Sequence, residues 1–195
     1  MTKLFVEAVV APAYEPGALE RLASKKNLRL IDLSRTAAAE PGLEFRTISG
    51  GLLVQTPDTL GEEPEKWKCV TERLPNEEEK RALAFAWRVV KHVKSNAIVF
   101  ARAGAVVGIG AGQMSRVDSV RFAALKARDL KHSLEGTVVA SDAFFPFADG
   151  VEEAAKAGAT AIVQPGGSTR DSEVIAAANR ARLAMLFTGV RHFRH

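Results

Sequence analysis

Short apolar runs alternate with polar, glycine- and proline-bearing stretches along the whole chain, and the lengths of those runs predict the elements. Residues 4–10 read as a buried strand stopped by Ala11-Pro12, with Glu7 as the one charged residue inside it. Residues 15–25 read as a short helix with Pro16 in its first turn, and residues 28–33 as a second strand. Residues 45–49 and 51–55 form an expected hairpin hinged at Gly50-Gly51. A polar stretch carrying Pro57, Pro64 and several glutamates follows and is the best candidate for a linker or surface excursion. Asn76 with Glu79 three residues on is a capping-box start for a helix that places Leu83, Trp87 and Val90 on one face.

Beyond residue 96 the rhythm becomes regular. Strands at 97–102 and 106–109 flank Ala103-Gly104 as a tight hairpin, and a helix follows over 115–128. Then come a strand at 137–140, a helix at 151–156 with Asp149 as its cap and Gly158 as its stop, and a strand at 160–163. A helix at 171–180 and a strand at 183–188 complete the series. Strands alternating with helices predict an α/β fold: α/β/α layers around a mainly parallel or mixed sheet covered on both faces.

One stretch breaks the usual grammar. Ser141-Asp142-Ala143-Phe144-Phe145-Pro146-Phe147-Ala148-Asp149-Gly150 places three phenylalanines at the mouth of a strand, where turn residues are expected. Such a loop either plugs the core or walls a flat ligand. In open α/β sheets, ligands bind beyond the carboxyl ends of the strands. The segments expected there are residues 142–149, 164–169 and 188–195, each rich in glycine, hydroxyl or charge. Their convergence predicts a binding site at that edge, with the phenylalanine loop as one wall.

Composition narrows the classes. The 195 residues are 47% hydrophobic and 26% charged, ordinary for a globular domain. No apolar run is long enough for a membrane-spanning helix, and the start lacks a signal-peptide pattern. These features predict a soluble, cytoplasmic protein. Cys69 is the only cysteine, so neither a disulfide framework nor a thiolate metal cluster is expected. The net charge of +4 is dispersed, and aromatics are not interleaved with the basic residues, which argues against nucleic-acid binding.

Single residues carry weaker signals. Gly108-Ile109-Gly110-Ala111-Gly112-Gln113 ahead of a helix fits either a phosphate cradle or close helix–sheet packing. Arg116, in a first helical turn, opposes the helix dipole and calls for an anionic partner. Asn96 fits a helix C-cap or a ligand contact, and Glu7 an outward-facing edge residue or a paired carboxylate. Lys91-His92 falls on a helix face, not in an expected catalytic pair, and His192 with His195 lacks the partners of a metal site.

Taken together, Lys94-Ser95-Asn96-Ala97, Gly108 through Arg116, Ser141 through Phe147, Gln164-Pro165-Gly166-Gly167-Ser168 and Arg191-His192-Phe193-Arg194-His195 resemble the C-terminal part of an AICAR transformylase domain. That domain belongs to the bifunctional purine-synthesis enzymes that also carry an IMP cyclohydrolase. Phe5-Val6-Glu7 through Ala11-Pro12, Asn27-Leu28-Arg29 and Gly50-Gly51-Leu52-Leu53 fit the same pattern, so the resemblance spans nearly the whole chain.

The resemblance implies a cytidine-deaminase-like subdomain, the second of two in the transformylase, over residues 1–195, with the first subdomain and the cyclohydrolase domain lying outside this chain. It implies formyl transfer from 10-formyltetrahydrofolate to the amine of AICAR, giving FAICAR, with no metal in the chemistry. Glu7, Asn96, Arg116, Phe144 and Arg191 match AICAR contacts, and Val117, Asp149, Ser168 and Thr169 match positions that touch the folate. The family's catalytic Lys-His pair lies upstream, so Lys91-His92 inherits no role and the isolated chain is expected to be a very poor catalyst. A homodimer is implied, as is a partner subdomain in cis or in trans. The alternative is a non-catalytic ligand-binding or assembly module that keeps the site walls without the base.

Overall fold

The computed structural model describes residues 5–36, 42–61 and 63–194, which divide into two compact units, Met1–Pro57 and Asp58–His195.

The first unit holds β1 (Ala8–Ala11), α1 (Pro16–Ala23), β2 (Arg29–Asp32) and a hairpin of β3 (Glu44–Ile48) and β4 (Gly51–Gln55). β1 and β2 pair in parallel, with Ala8 opposite Arg29 and Ala11 opposite Asp32. β3 and β4 pair antiparallel around Gly50, whose φ of 79° suits glycine in a tight turn. The expected hairpin is therefore present. The expected buried strand over residues 4–10 is corrected: Leu4 lies outside the described residues, the strand begins at Ala8, and it alternates between exposed and half-buried. Two paired strands and one two-turn helix give too little cover to enclose a side chain. No described residue of this unit is buried.

The second unit is built on six strands. A 3₁₀ turn (Pro64–Lys66) and β5 (Lys68–Cys69) lead to α2 (Glu77–Val90), β6 (Ile98–Arg102), β7 (Ala105–Gly110) and α3 (Arg116–Asp129). β8 (Thr137–Ser141), α4 (Ala148–Lys156), β9 (Ala159–Gln164), α5 (Asp171–Arg180) and β10 (Ala184–Phe187) follow. The sheet order is β5-β10-β9-β8-β6-β7. Only β8, β9 and β10 run parallel to one another; β5, β6 and β7 pair antiparallel with their neighbours. The sheet is thus mixed around a parallel centre. The hairpin at Gly104 forces β6 and β7 to reverse, and β5, only two residues long, left no apolar run to predict it.

Burial follows the period-two alternation of strands. Val139, Phe100, Ile98, Ile162 and Met185 face a core shared with Val120, Ala123, Val151, Ala154 and Val174 of α3, α4 and α5. Val138, Ala140, Ala161, Val163 and Ala184 face the opposite side, against Leu83, Ala86, Trp87 and Val90 of α2. All five β8 residues are buried, as expected of a central strand covered on both faces. Alanines on the α2 side leave room for the Trp87 indole, and full burial of side chains of this size is worth about 1.5–3 kcal/mol each.

Helix starts match the sequence unevenly. The Asn76–Glu79 capping box forms with both reciprocal hydrogen bonds, 2.8 and 2.9 Å. Asp149 is not the cap of α4: the helix starts at Ala148 after Phe147, and Asp149 sits in its first turn, accepting the Gly150 N–H at 2.7 Å. A carboxylate there still complements the helix dipole. Asn96 is not a helix cap either, because α2 ends at Val90 and the next turn closes through His92 and Val93 N–H groups. Among the described residues no helix is long and apolar enough to cross a membrane.

Candidate functional site

Because β8, β9 and β10 are parallel, their carboxyl ends open onto one edge of the sheet. The antiparallel β6 starts at that edge, Ile98 lying opposite Ser141, and β7 ends there, Gly110 lying opposite Ile98. Sequence segments far apart in the chain therefore converge.

Asp142 is the hub. It is fully buried just past β8, and its carboxylate accepts hydrogen bonds from the Arg116 guanidinium and from the Ser95 hydroxyl. Arg116, 7% exposed, also donates to Ser141 Oγ at 3.0 Å and to Asn96 Oδ1 at 3.1 Å. Asn96 Nδ2 donates to Gln113 O at 2.9 Å, and Ser119 Oγ donates to Asn96 O at 2.8 Å. The anionic partner that Arg116 calls for is thus present inside the chain. A buried charge pair is tolerable only when its lone pairs and protons are satisfied, and here both partners make several hydrogen bonds. Arg116 uses three N–H donors on these groups out of the five a guanidinium carries.

The glycine run before α3 serves packing. A Cβ at Gly110 would lie 1.9 Å from Ser119 O, and one at Gly108 would lie 2.9 Å from Ala123 O. The helix N-terminus is capped from within, Ser115 Oγ accepting the Asp118 N–H at 3.1 Å. Of the two readings of this run, the close approach of strand and helix accounts for Gly108 and Gly110.

The phenylalanine loop divides its labour. Phe145 is fully buried and plugs the core, its N–H donating to Gln164 Oε1 at 2.8 Å and so tying the β8 loop to the end of β9. Phe144 is half-buried, and the Arg191 guanidinium stands 6.0 Å from its ring centroid and 5.8 Å from that of Phe193. Phe147 is exposed, with Arg170 4.8 Å over its ring. The plug reading holds at Phe145, while Phe144 and Phe147 lie at the rim, each with an arginine over its ring.

Helix starts surround this rim. Val117 is half-buried in the first turn of α3, and Asp149 is exposed in the first turn of α4. Ser168 and Thr169 precede α5, where the Asp171 carboxylate accepts the Gly167 and Ser168 N–H groups at 2.7 and 3.2 Å. Asn96, Arg116, Phe144 and Arg191 thus share one edge with Val117, Asp149, Ser168 and Thr169. Glu7 belongs to the other unit. It is exposed, immediately precedes β1, and its backbone carbonyl accepts the Arg29 N–H at 3.0 Å.

Several residues of the edge were legible in the sequence only as members of longer segments, with no role of their own. Ser95, Ser141 and Gln164 are ordinary in type and gain meaning only from the hydrogen bonds described. His192 is 2% exposed, with Nδ1 2.5 Å from Asp58 Oδ2 and its ring 4.8 Å from that of Trp87. Lys91 and His92 do not form an acid–base pair: Lys91 Nζ donates to Leu60 O at 2.6 Å and stands 3.5 Å from Asp58, while His92 is exposed. Among the described residues no group of three metal-ligating side chains comes together, and His195 lies outside them. A separate groove of about 480 Å³ beside β5, lined in part by Pro64, Trp67, Cys69, Leu74 and Leu186, takes in none of the predicted site residues.

At the other end of the second unit, Arg73 clamps Glu79 through both guanidinium nitrogens, 3.0 and 2.7 Å, and also donates to Thr160 O and to Arg182 O. Burial pushes the Glu79 carboxyl up. Hydrogen bonding from Arg73 and Thr160, the Asn76 N–H and the Arg73 charge together outweigh it, so the group sits below the usual glutamate range.

Residues 1–126 match the family described as the AICARFT/IMPCHase bienzyme. The bifunctional purine biosynthesis protein PurH of Chloroflexus aurantiacus is 57% identical over 193 residues, covering 99% of this chain and 38% of that protein. PurH of Roseobacter denitrificans is 55% identical over 203 residues, and PurH of Magnetococcus marinus 55% over 205, each covering all of this chain and 38% of the relative. The chain spans well under half the length of these relatives. With most of its length matched by the family and over half its residues identical to those proteins, this chain belongs to the AICARFT/IMPCHase bienzyme family.

Proposed function

We propose that this chain is the C-terminal portion of an AICAR formyltransferase, the second cytidine-deaminase-like subdomain, working in the cytoplasm in purine synthesis. Its role is to hold the ribonucleotide AICAR and part of the formyl donor, 10-formyltetrahydrofolate. The observation that carries this reading is the convergence of Arg116–Asn96 and Arg191–Phe144 on one sheet edge in a family member.

Arg191 is an exposed cation of the edge and suits an anionic nucleotide, with Phe144 as a face for a flat ring. Asn96 and Arg116 supply fixed donors and acceptors, oriented before any ligand arrives because Asp142 and Gln113 O hold them. Glu7, an exposed carboxylate, is proposed as an AICAR contact on the family pattern alone. The folate-side residues suit their ligand in chemical type. Asp149 offers an exposed carboxylate acceptor, Ser168 and Thr169 offer hydroxyls, and the Val117 side chain is apolar. When bound, the formyl donor supplies the one-carbon group. This chain's residues orient and enclose; the proton-transfer pair is expected in the upstream subdomain, supplied in cis or in trans within a homodimer.

The alternative is a non-catalytic binding or assembly module that keeps the site walls without the proton-transfer pair. Both readings are tested together by calorimetric titration of the chain with AICAR, followed by formyl-transfer assay with the upstream subdomain added. Binding weakened but still measurable in Arg191→Ala, with formyl transfer on mixing, supports the transferase. Binding without transfer on mixing supports the module. Absence of AICAR binding both alone and on mixing overturns the substrate assignment.

A further inference from the structure

The segment after β10 is held by a row of backbone hydrogen bonds. Thr188 N–H donates to Gln164 O at 2.9 Å and Gly189 N–H to Pro165 O at 3.0 Å, so the segment leaves along the loop that follows β9. It then crosses to the β8 loop, where His192 N–H donates to Asp142 O at 2.9 Å. It ends against the start of β6, Arg194 O accepting the Ser95 N–H at 2.8 Å. This strap therefore spans the carboxyl edge and bonds the backbones of Ser95 and Asp142, whose side chains are themselves hydrogen-bonded to each other.

Midway along it, His192 points inward. It is among the largest fully buried side chains, yet it is polar and plays no part in the proposed ligand contacts. Its ring lies against Trp87 at 4.8 Å with a 49° tilt, and Trp87 in turn meets Trp67 edge-on at 6.0 Å. Its Nδ1 meets Asp58 Oδ2 at 2.5 Å, and Asp58 is also 3.5 Å from Lys91. A buried imidazole with a carboxylate partner is costly to leave unpaired, so the contact constrains where residue 192 can sit. Its neighbours Arg191 and Phe193 face the other way, Arg191 standing over Phe144.

We propose that His192 is a positioning residue: pinned by Asp58 and stacked on Trp87, it latches the C-terminal strap and thereby sets Arg191 against Phe144. The latch joins Asp58, the first residue of the second unit, to His192 in the segment after β10. Its consequence for ligand binding rests on the reading of Arg191 as an AICAR contact. The latch itself does not.

Two variants separate hydrogen bond from stacking. His192→Phe keeps a flat ring on Trp87 and loses the donor to Asp58; His192→Asn keeps a donor near the Nδ1 position and loses the ring. Asp58→Ala removes the partner and leaves His192 untouched. Hydrogen exchange on the 195-residue chain reads the latch without ligand, through the amides of residues 192 and 95. Both are expected to exchange about tenfold faster in His192→Phe and Asp58→Ala, and to stay within about threefold of the parent in His192→Asn, while amides of β8 and β9 keep their protection. Calorimetry then reads the consequence: AICAR affinity falls about tenfold in His192→Phe but shows no further loss when His192→Phe is added to Arg191→Ala. Unchanged amides at 192 and 95, failure of Asn to do better than Phe, or additive losses in the Arg191→Ala background each overturn the positioning role. If AICAR binds neither the parent chain nor its mixture with the upstream subdomain, the substrate assignment falls instead, and the exchange experiment still decides the latch.

Discussion

The two units of this chain were drawn from the same alphabet and ended in opposite physical states. In the second, every β8 side chain is sealed and two cores flank one sheet. In the first, β3 and β4 are exposed along their entire length, with Phe45 at 62% and Leu52, Leu53 and Val54 above half. Hydrophobicity of the residues does not separate them. The difference is coverage: a sheet with helices on both faces buries its alternating residues, while among the described residues the two-stranded ribbon is left exposed. For a chain spanning 38% of its relatives, it follows that apolar pattern measures what a segment can bury, and only the full set of neighbours decides whether it does.

The sharpest break of that comparison is Arg116→Ala. It strands the Asp142 carboxylate without its charge partner, and a loss of about 3–5 kcal/mol in unfolding free energy of the second unit is expected by denaturant titration. A loss under about 1 kcal/mol would show that solvent already reaches the pair. Next comes Leu83→Ala beneath α2, where the void left in a sealed core is expected to cost about 2–5 kcal/mol. In the first unit, the matched truncation Leu53→Ala is expected to change stability by no more than about 0.5 kcal/mol. A cost as large as that of Leu83→Ala would mean the hairpin is covered in solution, and would make the two units alike.

Acid provides a gentler probe. Glu79 titrates below its ordinary value of 4.5, so the folded state binds its proton less readily than the unfolded chain does. Its contribution to stability is therefore complete above about pH 4.5 and is lost as pH falls through the depressed folded value. Glu79→Gln is expected to flatten the stability–pH slope below that point in the second unit, as followed by thermal melts between pH 3 and 6 (roughly the span that brackets a glutamate's titration). An unchanged slope would place the acid sensitivity elsewhere.

Much of this was legible in the residues. The capping box at Asn76, the hairpin turns at Gly50 and Gly104, and the strand–helix alternation after residue 96 follow from local rules acting over three to ten residues. So does the prediction that residues 142–149, 164–169 and 188–194 meet, since parallel strands place their carboxyl ends together. Tertiary structure decided what depends on distant partners. It made Asp142 the anion for Arg116, placed Phe145 in the core and Phe144 at the rim, and reduced the glycine run to helix–sheet packing. It also joined His192 to Asp58 across 134 positions. The physical reason is one of range: dihedral preference, capping and alternation are settled by near neighbours. The partner of a buried charge and the cover over an apolar face come from residues that the chain brings together only when it folds.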